Sequence, residues 1–154
     1  MSCDVAVAAF LMFANASPAA LNAAPVPAIA APAPVAGEPL FADIVGRAGK
    51  LKSVVDGYRT GLAKSLTLPG FDGFKTDIAA LAALDLKGHE TLKARNTDGD
   101  LKCILRGISQ DLPLKLDQVE KAADLKAKDK ALKEMSYLLN DNVEVITAPP
   151  APEV

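Results

Sequence analysis

From Glu38 to Thr147, apolar residues recur at steps of three and four almost without a break. A chain patterned in that way buries its apolar side by packing α-helices against one another. Phe41, Ile44, Ala48, Leu51, Val55, Tyr58 and Leu62 form the first stripe, on a helix expected over 39–66. Pro39 suits its first turn, where a missing N–H costs nothing, and Leu68-Pro69-Gly70 ends it. Phe74, Ile78, Leu81 and Leu92 mark a second helix over 74–95, with Asp72 as a possible cap. Asp85-Leu86-Lys87-Gly88 interrupts its phase. Glycine costs about 1 kcal/mol inside a helix relative to alanine, so a kinked or divided helix is expected there.

The turn at 96–100 offers Asp98 or Asp100 as a fresh cap. It leads into a third stripe of Leu101, Leu105, Ile108, Leu112, Leu116, Val119 and Ala123, on a helix over 100–123. Pro113 lies inside that helix, and its ring removes a hydrogen bond and clashes one turn back. The stripe keeps its phase across the proline, which favours a kink near Gln110–Pro113 over a new direction. Asp124 to Asp129 reads as a polar turn. Leu132, Met135, Leu139, Val143 and Ile146 form a fourth stripe over 129–147, stopped by Pro149 and Pro150. Four amphipathic helices on short connections predict an all-α, antiparallel four-helix bundle spanning residues 38–147. Hydrophobic residues make up 50% of the chain but aromatics only 5%, so its core must be built mainly from aliphatic side chains.

The first 37 residues differ in kind. They carry one charged residue, Asp4, and five prolines. Val5 to Ala14 is an unbroken apolar run, shorter than the roughly 20 residues that span a bilayer but of the length found in secretory signals. Ala14-Asn15-Ala16 and Ala23 offer small residues for cleavage. Residues 1–23 are therefore expected to be a signal peptide, although no Lys or Arg opens it. Residues 24–37 read as an extended Ala/Pro linker, and 148–154 as a Pro-rich tail. This predicts an exported protein, periplasmic or secreted. The opposing reading is an Ala/Pro tail on a cytosolic chain. Once the signal is removed, Cys103 is the only thiol left. It is expected to be a buried, inert cysteine, the alternative being a surface thiol that joins two copies.

Charge is near balance, with 17 basic and 19 acidic residues, which argues against a nucleic-acid partner. The acidic turn around Gly99 fails as a calcium loop, because Ala94 and Leu105 fall where ligands are required. His89 is the only histidine, which removes sites that need two imidazoles. No nucleophile elbow, phosphate loop or Cys-x-x-Cys-His motif is present. The expectation is a protein without enzymatic activity, bound metal or cofactor. It would be a binding or structural protein of the cell envelope, with a protein or apolar ligand as partner. One alternative is a haem-binding redox bundle using His89 and Met135, since bundles can hold haem between such residues. In that comparison Met135 is core filler by default and His89 a surface histidine among carboxylates. Another alternative is a bundle that contacts membranes or hydrophobic surfaces. Lys126, Lys128, Lys130 and Lys133 could meet an anion, though interleaved acids weaken that idea.

Overall fold

A computed structural model describes residues 35–62, 65–97 and 99–148. The expected signal peptide, most of the linker, Asp98 and most of the tail lie outside these residues. A single 3-10 turn, Val35–Gly37, leads into four helices: α1 (Pro39–Gly61), α2 (Phe71–Arg95), α3 (Gly99–Lys121) and α4 (Leu125–Thr147). They pack antiparallel, each against its neighbours in sequence, and α1 closes the bundle against α4. Thus α1 and α3, and α2 and α4, face each other across the diagonals. The packing is uneven: α2 lies most extensively on α3 and α1 on α4, while the α1–α2 seam is the thinnest. The bundle is two tight helix pairs laid together.

The core is aliphatic, as the composition requires. Ile44, Ile78, Leu105, Leu132 and Leu139 are among its fully buried side chains. At one end Tyr58, Phe71 and Phe74 form an aromatic cluster with ring centroids 5.5–6.4 Å apart. The Tyr58 hydroxyl donates to the Pro69 carbonyl at 2.9 Å, which ties the α1–α2 connection to the core. Gly70 takes the left-handed conformation (φ 68°) at the start of α2. Asn96 does so at its end (φ 53°), where Asn96 N–H donates to Lys93 and Thr97 N–H to Leu92. That pair of bonds closes a Schellman motif.

The helix limits differ from the sequence expectation in instructive ways. α1 stops at Gly61 rather than 66, and α2 begins at Phe71, with Asp72 in its first turn. α4 starts at Leu125, because the Asp124 side chain caps it by accepting from Ala127 N–H at 2.8 Å. The expected polar turn at 124–129 is thus mostly the first turn of α4. α2 is continuous across Gly88 rather than divided. A Cβ on Gly88 would stand 3.1 Å from Leu105 Cδ1, 3.4 Å from Ile44 Cδ1 and 3.4 Å from Phe41 Cε1. The glycine lets α1 and α3 close on α2. α3 is also one helix across Pro113. The proline is exposed, while Leu112 is fully buried and Leu116 half-buried. Cys103 is half-buried rather than fully buried; the other cysteine, Cys3, lies outside the described residues.

Polar contacts line the seams. Between α1 and α4, Ser136 donates to Asp56 at 2.9 Å and Arg59 meets Asp129 at 3.0 Å. Lys115 meets Glu134 at 2.7 Å between α3 and α4, and Lys75 meets Glu120 at 3.1 Å between α2 and α3. Arg95 forms a bidentate pair with Glu38, both contacts 2.8 Å. Most of the lysine cluster is engaged by the protein itself. Lys128 reaches the Leu66 carbonyl, Lys130 meets Glu134, and Lys133 sits over the Tyr137 ring.

Candidate functional site

Helical spacing carries two polar side chains into the middle of this aliphatic core. On α2 the buried positions run Ile78, Leu81, Ala82, Asp85, Gly88, His89, Leu92, so Asp85 stands in phase with the apolar stripe. On α4 they run Met135, Leu139, Asn142, Ile146, and Asn142 stands in phase likewise. Both are 0% exposed. Asn142 Nδ2 donates to Asp85 Oδ2 at 2.9 Å, across the diagonal between α2 and α4. The other oxygen of each, Asp85 Oδ1 and Asn142 Oδ1, has no hydrogen-bond partner.

An ionised carboxylate in such a place carries a large desolvation cost. Burial pushes the Asp85 carboxyl up from 3.8 to about 7, and the Asn142 hydrogen bond only partly opposes it. In the neutral form Asp85 gains a hydroxyl donor, and Oδ1 of the same Asn142 amide is an unused acceptor. An acid and an amide can close a ring of two hydrogen bonds, which would satisfy both orphaned oxygens at once. In the sequence, Asp85 falls in the phase break at 85–88, and the fourth stripe steps from Leu139 to Val143 over Asn142. The missed signal was a polar residue standing in phase on each stripe.

His89 follows one turn after Asp85 and is buried, not on the surface. Its Nδ1 lies 2.7 Å from the Lys102 carbonyl of α3. A carbonyl only accepts, so Nδ1 carries the hydrogen. Nε2 is 3.7 Å from Glu90 Oε1. Met135 is fully buried on α4. Because α2 and α4 run parallel across the diagonal, the Asp85–Asn142 bond sets their register. His89 lies four residues beyond that level and Met135 seven residues before it, about 16 Å apart along the bundle at about 1.5 Å per residue. The structure does not bring these two side chains to one point.

Two shallow cavities beside α1 share Val54. One, of about 280 Å³, is lined by Val54, Gly57, Tyr58 and Gly61 of α1 and by Thr67, Leu68 and Pro69 of the connection. The other, of about 300 Å³, is lined by Asp43, Arg47, Lys50, Leu51 and Val54 of α1 and Asp77 of α2. Gly57 and Gly61 have open space where a side chain would stand, so the first cavity has a bare helix backbone as one wall. Among the described residues no cluster of His, Cys, Asp and Glu is arranged to hold a metal, and no helix is long and apolar enough to cross a membrane. Compared with models of known families, with curated proteins and with solved structures, the chain matches none.

Proposed function

We propose that this chain is an exported, non-enzymatic helical-bundle protein that works in or beyond the cell envelope by holding an apolar ligand or partner segment. The observation that carries the binding reading is the mostly apolar cavity between α1 and the α1–α2 connection, walled by Val54, Gly57, Tyr58, Gly61, Leu68 and Pro69. Gly57 and Gly61 leave the α1 wall of that cavity without side chains, which opens its backbone to a ligand. Export rests on the apolar run and small-residue sites of residues 1–23.

Titration with a fluorescent fatty-acid analogue tests the binding. Saturable binding is expected, and Gly57→Leu, which puts a side chain into the cavity, is expected to weaken it. Binding that is absent, or indifferent to Gly57→Leu, would refute the assignment. Mass spectrometry of the natural protein tests export: the expected N-terminus follows Ala16 or Ala23, and an intact Met1 or Ser2 would contradict it. The thin seam also favours a second reading, in which the pairs part on a hydrophobic surface. Flotation with liposomes separates that from capture of a small ligand in a closed bundle.

A further inference from the structure

The two halves of this bundle meet through a contact of unusual chemistry. α2 belongs to one tight pair and α4 to the other, and Asp85–Asn142 is the buried hydrogen bond that spans them. The ion pair Arg95–Glu38 between the pairs is exposed and contributes little, and Lys115–Glu134 is only partly buried. The interior contact leaves one oxygen of each partner without a donor, a costly arrangement at zero exposure. A proton on Asp85 removes that cost, because the acid then donates to Asn142 while Asn142 donates back.

We propose that Asp85 and Asn142 form a proton-held latch between the two helix pairs, closed while Asp85 is neutral and released when its proton leaves to solvent. Release would leave a carboxylate in an aliphatic core. The surroundings supply no substitute counter-charge. At the level of Asp85, one turn from the Gly88 contacts, α1 presents buried Ala48 and α3 buried Ile108. The charged residues flanking that level, Arg47 on α1, Arg106 on α3 and Asp141 on α4, are exposed. His89, one turn away on α2, is turned to the Lys102 carbonyl, and Lys102 itself is buried on α3. Burial and the Asn142 hydrogen bond are the influences on the Asp85 carboxyl. The latch stands independently of what the bundle binds, and its effect is to make opening of the apolar interior respond to pH through neutrality.

The decisive variant is Asp85→Asn. An amide in this place can both donate to and accept from Asn142, so it mimics the protonated acid and cannot ionise. Two measurements on the full chain test the proposal. In a ¹³C carboxyl titration by NMR, Asp85 is expected to be neutral at pH 5 and to ionise close to neutral pH. A carboxyl already ionised at pH 5, or still neutral above pH 9, would overturn it. In hydrogen exchange corrected for the intrinsic pH effect, protection of α2 and α4 is expected to fall by about tenfold or more between pH 5.5 and 8.5. Asp85→Asn should show no such fall, and an equal fall in both proteins would overturn the latch. Should the variant not fold, the carboxyl titration of the unaltered chain decides alone.

Discussion

Gly88→Ala is expected to destabilise the bundle, against the usual direction for such a change inside a helix. Replacing glycine by alanine in a helix contributes about 1 kcal/mol through backbone entropy and propensity. At position 88 the new methyl would meet Leu105 Cδ1 at 3.1 Å and Ile44 and Phe41 at 3.4 Å. All three neighbours are 0% exposed, so none can retreat toward solvent. Overpacking of this kind costs roughly 1–3 kcal/mol, which leaves a net loss of about 1 kcal/mol. Gly46 supplies the control, since nothing lies within 4 Å of its would-be Cβ. Gly46→Ala should therefore stabilise by roughly 0.5–1 kcal/mol. Urea unfolding followed by circular dichroism at 222 nm measures both. If Gly88→Ala proved as stabilising as Gly46→Ala, the three-helix approach at Gly88 would be refuted.

Leu112→Ala is expected to cost about 2–5 kcal/mol, because its side chain is fully buried. Pro113→Ala should raise the melting temperature, because it restores a hydrogen bond in the middle of an unbroken helix; a lower melting temperature would mean that the proline starts a separate helix. Asp124→Ala removes the cap on Ala127 N–H and should cost about 1 kcal/mol in urea unfolding, with Asp124→Asn restoring most of it. Tyr58→Phe removes the hydrogen bond to the Pro69 carbonyl and should cost about 1 kcal/mol, with faster amide exchange in the α1–α2 connection.

Much of the fold was legible because it rests on spacing alone. The stripe from Phe41 to Leu62 and the one from Leu132 to Ile146 repeat at helical steps, and burial follows them closely. The ends of the helices were less legible, because they depend on single interactions. One carboxylate, Asp124, moved the start of α4 upstream, and a glycine in the left-handed region set the start of α2. Gly88 looked like a breaker because propensity is local, whereas its role is a close approach between helices distant in sequence. Asp85 and Asn142 stood in phase all along, but a polar residue on an apolar stripe announces itself only when its partner is known. Their partnership crosses 57 positions, and no spacing rule links them. Residue type alone suggests His89 and Met135 as a pair, whereas helix register places them at different levels of the bundle.

The most direct test of the two-pair bundle and its buried acid is unfolding free energy against pH, for the unaltered chain and for Asp85→Asn. A carboxyl whose folded value is raised from 3.8 to about 7 gives stability that is complete below the lower value and lost as pH climbs through the upper one. The full span corresponds to about 4 kcal/mol, of which about 3 kcal/mol falls between pH 5 and pH 8.5. Glu38, Asp56 and Glu134 are held below the usual carboxylate range by Arg95, Lys52 and Lys115 respectively. Their contribution is lost only as pH falls through that lower range, and so stays outside this window. Asp85→Asn should therefore gain on the unaltered chain by up to about 3 kcal/mol between pH 5 and pH 8.5. Parallel curves for the two proteins across that window would contradict the account.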